Sequence, residues 1–364
     1  MRESAGLPFG GAGDSQAGGA SLADRFRRHA EGLVRANRSP LYIGLMGAAA
    51  EDIDRGGEVA RLFEGIDAPP GAVPQLRLLS ALHYLVLSGQ APALAAFYPS
   101  AGGERPPDDV WPTVLATVGE HFEQIRARLH RTVQTNEPGR SAVLFAGLLW
   151  LADRYRRPIR LLEVGASAGL NLIADRYSYV VAGRELGNPD SPLRFVDPWT
   201  PAPPIDLAAT AARLRIVARA GCDANPLDPR VPEDQLTLLS YIWPDEPHRI
   251  DRLRAALTVA ARDPVPVAAR VGSEWLPEVL AGADDGELVV VWHSVMRQYV
   301  EDEEWAAIER ALDARPGVVR LSMEPASEQH VRMQLTVHDP VGAPERRLAV
   351  CDDHGLPIRW EAAA

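Results

Sequence analysis

Apolar residues at helical spacing open the readable part of the chain. Leu22, Phe26, His29, Leu33 and Val34 fall on one face, and Ser21 stands before them as an N-cap. Further helices are expected at about 39–54, 74–88, 108–133 and 139–154. The run 76–87 (LRLLSALHYLVL) is apolar on nearly every side, which predicts a buried central helix. Pro and Gly clusters at 69–74 and 99–107 read as loops. Beyond Pro158 the texture changes, and short apolar runs alternate with helical stretches. Strands are expected at 160–164, 214–218, 265–271, 288–292 and 318–323. The run 289–292 is apolar throughout, as in a strand covered on both faces. Alternating strands and helices argue for a doubly wound, mostly parallel α/β sheet behind an all-helical N-terminal domain. The expected divisions are a tail at 1–20, a helical domain at 21–154 and an α/β domain at 155–364. A hairpin inserted at about 177–195 would turn at Gly187-Asn188-Pro189-Asp190.

Composition narrows what such a chain can do. Residues 1–20 are rich in Gly, Ala and Ser and have little to bury, which predicts disorder. The 364 residues suit two domains, and the net charge of −11 opposes nucleic-acid binding. Basic residues occur only in short pairs such as Arg156-Arg157 and Arg346-Arg347. There is no lysine, so Schiff-base chemistry and a P-loop lysine are excluded. Cys222 and Cys351 stand far apart, without metal-ligand spacing. No apolar run nears the ~20 residues of a membrane span, and no secretory leader is visible. A cytoplasmic protein acting on a small molecule, with neither nucleic acid nor membrane as partner, is the expectation.

The segment Arg160-Leu161-Leu162-Glu163-Val164-Gly165-Ala166-Ser167-Ala168-Gly169-Leu170-Asn171 reads as a strand, a glycine turn and a helix start. Such a turn lets backbone approach a ligand, and the helix behind it offers N–H groups. A dinucleotide fingerprint fails twice, because Ser167 and Leu170 stand where glycines are needed. A nucleophile elbow, G-x-S-x-G, is satisfied by Gly165, Ser167 and Gly169, with His293, His338 or His354 as partner histidines. Against it, helices precede the turn where a hydrolase would have built strands, and no HGGG-type segment appears.

The third reading is a resemblance to the first motif of class I methyltransferases, carried by Glu163, Gly165, Ser167 and Gly169, with Ser167 replacing the middle glycine. It implies S-adenosylmethionine as cofactor. Glu163 would lie near its methionine or ribose part, and the backbone of Gly165, Ala166, Ser167, Gly169 and Asn171 would pack against it. The same resemblance implies a ribose ligand at the end of the second strand. Asp223 fits, with Asp197 as competitor because the gap from Glu163 is long. Ser273 and Glu274 hold the place next to the adenine amine, with Trp275 as a stacking candidate. His293, after the fourth strand, is a candidate general base and cofactor contact.

Asn136, Glu137 and Arg140, in Gln134-Thr135-Asn136-Glu137-Pro138-Gly139-Arg140, form a polar loop that could face the transferred methyl group. Tyr98 and His83 are further candidates. The segments Ser39-Pro40-Leu41-Tyr42, Leu82-His83-Tyr84-Leu85, Phe97-Tyr98-Pro99-Ser100, Trp243-Pro244-Asp245 and 290–299, with the two above, resemble one bacterial family of unknown function. That family implies a methyltransferase-like C-terminal domain behind a helical region of its own, which would serve as a lid. The residues leave two other readings open: a serine hydrolase using Ser167, and a cofactor-binding module without turnover.

Overall fold

The computed structural model describes residues 21–67, 71–325, 333–338 and 345–362. The tail at 1–20 lies outside them. The chain forms two compact units, Met1–Thr135 with Pro232–Asp251, and Asn136–Val231 with Arg252–Ala364.

The first unit is helical. Its first helix, Leu22–Ala36, begins with a reciprocal capping box between Ser21 and Asp24. Pro40–Asp54 and Pro74–Leu87 follow, each with proline in the first turn. Pro74–Leu87 is buried almost all round, as its sequence predicts. The helix expected at 108–133 is instead two, Trp111–Glu120 and Phe122–Leu129, broken at His121 by a non-helical backbone. Helix Pro232–Ser240 belongs to this unit and not to the sheet. Ser240 Oγ meets Ser80 Oγ at 2.8 Å, and Trp243 joins the helical core.

The second unit holds two sheets. The strands are β1 (Ile159–Val164), β2 (Ser178–Val181), β3 (Arg184–Gly187), β4 (Arg194–Val196), β5 (Ile216–Asp223), β6 (Val267–Ala269), β7 (Leu288–Ser294), β8 (Val319–Pro325), β9 (Met333–His338), β10 (Arg346–Cys351) and β11 (Ile358–Trp360). The large sheet runs β11-β10-β9-β8-β7-β1-β5-β6. Its members β6, β5, β1, β7 and β8 are parallel. The strands β9, β10 and β11 extend it as an antiparallel meander that is not among the expected strands. Strand order reverses between β1 and β7, the switch point where ligands of open α/β sheets bind. The inserted hairpin exists, but its turn is Ala182-Gly183, both at positive φ, and not 187–190. The 187–190 stretch leads instead to β4, which pairs parallel with β2.

Helix Gly139–Tyr155 packs in this unit, so the units divide at Thr135/Asn136 and not at 154/155. Every residue from Gly139 to Ala152 is buried. One side faces the large sheet, where a Cβ on Gly147 would lie 3.1 Å from Leu321. The other faces the small sheet, where Phe145 stacks on Tyr179 with centroids 4.3 Å apart. The opposite face of the large sheet packs on helices Gly272–Ala281 and Asp302–Asp313. Leu162, Val164, Val289 and Val291 share that core with Trp275, Leu276, Ile308 and Leu312. Side chains alternate along a strand, so Glu163 and Trp292 point to the face of Gly139–Tyr155. No helix among the described residues is long and apolar enough to cross a membrane.

Leu321 is fully buried at the centre of β8. Leu321→Ala is expected to cost about 2–5 kcal/mol, read as a lowered urea midpoint at unchanged slope. A loss under about 0.5 kcal/mol would contradict this packing.

Candidate functional site

Glycine makes the turn after β1 possible. Gly165 and Gly169 have φ of 74° and 73°, and Ser167 shares the left-handed region at 50°. Gly221, opposite Glu163 on β5, lets the turn close in, since a Cβ there would lie 2.5 Å from Ala166 Cβ. Gly165 and Ala166 donate to Cys222 O at 2.9 and 3.0 Å.

The remaining turn amides are not free, contrary to expectation. Ser167 N–H donates to Asp223 Oδ2 at 3.0 Å. Ala168 and Leu170 N–H both donate to Asn136 Oδ1, at 3.2 and 3.0 Å. The α-helix expected behind the turn is replaced by a six-residue 3-10 segment, Asn171–Arg176, kinked at Ile173. Neither a helix dipole nor a free amide nest is therefore offered to a ligand carboxylate. Met296 also packs over Gly165, 3.2 Å from the position a Cβ would take.

The polar loop before the sheet is scaffolding in part. Asn136 holds the turn as described, rather than facing a substrate. Glu137 Oε1 accepts from Gly139 N–H at 3.0 Å and from Arg252 at 3.2 Å. Arg140 differs. It is buried, its Nη1 reaches Ser294 O at 3.3 Å, and its Nε has no hydrogen-bond partner.

Glu163 is the second unusual group. It is 1% exposed at the end of β1. Asn171 Nδ2 approaches its Oε1 at 3.4 Å, and Asn171 is fixed in turn by Ser141 Oγ at 2.8 Å. Asn171 thus presents Glu163. Glu163 Oε2 has no partner. Burial pushes the carboxyl up to about 8, against smaller opposing effects of Asn171, Arg140 and the neighbouring Trp292 indole N–H, while Asp223 adds to the rise. Arg140 is destabilised as a cation by the same burial, with Glu137, Tyr299, Asp353 and Glu324 offsetting it. A buried carboxyl and a buried guanidinium, each with an atom that makes no hydrogen bond, thus share one neighbourhood at the sheet's C-terminal edge. Buried unmatched groups of this kind call for an explanation.

Other sequence candidates fall into place around them. Asp223 ends β5, and its two oxygens accept the N–H of Ser167 and of Asn225. Asp197 caps the small sheet through Ala182 N–H at 2.9 Å, away from the large sheet's edge. Ser273 donates N–H and Oγ to Glu304, at 2.9 and 2.6 Å, which closes the start of Gly272–Ala281. Glu274 is exposed, and Trp275 lies in the core rather than on a surface where a base could stack. His293 pairs through Nδ1 with Glu324 Oε1 at 2.8 Å. Sequence reasoning missed Glu324, the next-to-last residue of β8. Extending the expected strand by one residue would have found it. Ser167 has an elbow-like φ, but it is 3% exposed, and a nucleophile elbow presents its hydroxyl outward. No group of three or more His, Cys, Asp or Glu side chains among the described residues could hold a metal ion.

The family described as "Uncharacterized protein conserved in bacteria (DUF2332)" matches residues 23–360. The chain belongs to DUF2332. No curated protein and no solved structure matches it. In this DUF2332 chain the motifs of the helical unit meet one another in its core. Tyr42 packs edge-on against Tyr98 and Trp243, and His83 Nε2 meets Ser100 Oγ at 2.8 Å. His83 and Tyr98 are completely buried, so their surroundings are core packing rather than an open site.

Two outcomes follow for the DUF2332 site. Asn136→Ala leaves two buried amides unsatisfied and is expected to cost about 2–4 kcal/mol in urea unfolding; a loss under about 0.5 kcal/mol would sink that role. Glu163 holds its proton in the folded chain up to about pH 8, against an ordinary value of 4.5, so its stability contribution is complete below 4.5 and fades as pH rises through 8. Relative to wild type, Glu163→Gln should therefore gain up to about 5 kcal/mol between those limits. A constant difference across that range would contradict the burial of an uncompensated carboxyl.

Proposed function

We propose that the protein binds S-adenosylmethionine at the C-terminal edge of β1, β5 and β7 and transfers a methyl group to a small molecule. The observation that carries this is the pair Glu163 and Arg140. The cofactor's amino-acid end is a zwitterion. Its ammonium suits the unmatched Glu163 Oε2, and its carboxylate suits the Arg140 guanidinium. The roles are reassigned from the turn amides, which Asn136 and Asp223 occupy, to these two side chains. Asp223, at the end of β5, would hold the ribose hydroxyls, as the resemblance to class I methyltransferases implies. When bound, the cofactor supplies an electrophilic methyl group on a sulfonium centre.

Three further features support the reading. The order β6-β5-β1-β7-β8 is the 3-2-1-4-5 order of doubly wound nucleotide-binding sheets, and the pair sits at its switch point. Glu163 leads the turn in the manner of the first class I methyltransferase motif. Both side chains are buried, and methyl transfer needs exclusion of water more than strong acid–base groups.

Glu163 carries a proton near neutral pH in the free protein. An arriving ammonium favours the carboxylate, so binding should release close to one proton at pH 7. Calorimetric titration with S-adenosylmethionine and S-adenosylhomocysteine, in buffers of different ionisation enthalpy, reads both quantities. Saturable binding with proton release is expected, and Glu163→Gln should abolish the release and weaken binding about tenfold or more. Absence of binding to the wild type would overturn the proposal.

A further inference from the structure

The pair His293–Glu324 is not used by the cofactor contacts above. His293 and Glu324 lie near the ends of β7 and β8. Glu324 Oε1 lies 2.8 Å from His293 Nδ1 and also accepts Met296 N–H at 3.1 Å. An ionised carboxylate only accepts, so it fixes the imidazole proton on Nδ1 and leaves Nε2 bare. The edge of one ring meets the other between His293 and Trp305, with centroids 5.1 Å apart, which fixes the imidazole plane. This is how a histidine base is held in acyl-transfer sites, with the carboxylate behind it.

The pair opens onto a polar stripe. In the register of the sheet, His293 is opposite Ser322, Ser322 opposite Thr336, and Thr336 opposite Arg347. Directly opposed residues share a face, so these four side chains cross β7, β8, β9 and β10 in one row. Glu324 and Gln334 form the next pair on the same face. The alternate positions Leu321, Met323, Leu335 and Val337 are buried on the other face, that of Gly139–Tyr155 and Glu163, so the stripe meets the cofactor contacts only at the sheet's C-terminal edge, where Met296 donates N–H to Glu324 and packs over Gly165. A cavity of about 270 Å³ lies on the stripe, lined by Ser322, Glu324, Pro325, Gln334, Thr336, Glu345 and Arg347, and it reaches His293 through Glu324, which lines it and bonds to the imidazole. Hydroxyls, an amide and charges of both signs line it, which suits a small polar ligand better than an apolar one.

Building on the cofactor reading, we infer that this stripe seats the methyl acceptor, a small polar molecule presenting a hydroxyl or amine, with His293 as its base and Glu324 as positioning residue. The acceptor's O–H or N–H bond breaks, its electron pair stays on the acceptor atom, and the proton passes to His293 Nε2. Glu324 faces the imidazolium charge through Nδ1–H. The freed pair forms the bond to the methyl carbon, while the pair of the breaking carbon–sulfur bond stays on sulfur. The imidazolium then returns its proton to solvent. A thiol acceptor would not need this base, because thiols ionise readily near neutral pH.

Two measurements on the full chain test this. Long-range proton–nitrogen NMR of protein labelled in its histidine rings, without cofactor, reads the tautomer. The signal lost in His293→Gln should show a protonated Nδ1 and bare Nε2, and Glu324→Ala should convert it to a tautomer mixture with the other histidines unchanged. A protonated Nε2 in the wild type would overturn the base assignment. The second measurement follows tritium from S-adenosyl-[methyl-³H]methionine into a panel of polyols, aminoalcohols, amines and thiols. Label should enter hydroxyl or amine acceptors. Transfer should fall on the order of 100-fold in His293→Ala at unchanged cofactor affinity, and Thr336→Trp should raise KM with kcat little altered. Label confined to thiols, no transfer to any hydroxyl or amine, or transfer indifferent to His293→Ala would each refute the inference. Failure of the cofactor itself to bind would refute the cofactor reading instead, and the NMR result would still decide the pair.

Discussion

A carboxyl buried at the end of a central strand, with one oxygen unmatched, is the constraint around which the sheet unit is organised. Glu163 is paired in register with Gly221 on one side and Trp292 on the other. It cannot reach water, and local groups satisfy it only in part. Ser141 orients Asn171, Asn171 approaches Glu163, and Arg140 lies near enough to favour its ionisation. Both Ser141 and Arg140 belong to the helix Gly139–Tyr155, which explains why that helix must stay with the sheet. Removing one member of a buried polar set leaves its partners with the desolvation penalty uncompensated.

The turn beside Glu163 is built to a different end than its glycines suggest. A side-chain amide, Asn136 Oδ1, accepts two of its N–H groups, and Asp223 accepts a third. The turn is thereby rigid without an α-helix behind it. Rigidity of this kind pre-organises the groups the turn displays, which favours binding by reducing the ordering cost on association. It also explains why Asn136, a polar residue in a break between helices, is buried.

Much of this was legible in the sequence, and the failures have identifiable causes. The five parallel strands and the helices at 40–54 and 74–87 follow from periodicity, because each buries a continuous apolar face. Glu163 and the glycines stood out because their spacing has a mechanism. The meander β9-β10-β11 is not among the strands expected from continuous apolar runs, although Met333–His338 alternates apolar and polar residues as a half-buried strand does. The division expected at 155–364 took in residues 232–240, and only the packing of Pro232–Ser240 on Ser80 places them in the helical unit. Asn136 and Glu137 read as substrate groups because sequence shows polarity but not partners. Trp275 could not be separated from a stacking residue until its neighbours Leu276 and Ile308 were known.

The account rests on Glu163 and Arg140 holding the two ends of a zwitterion. A crystal structure with S-adenosylhomocysteine tests that most directly. The account predicts density for the amino-acid end, with its ammonium on Glu163 Oε2 and its carboxylate on Arg140. Ligand density elsewhere, with Glu163 and Arg140 still unmatched, would contradict it.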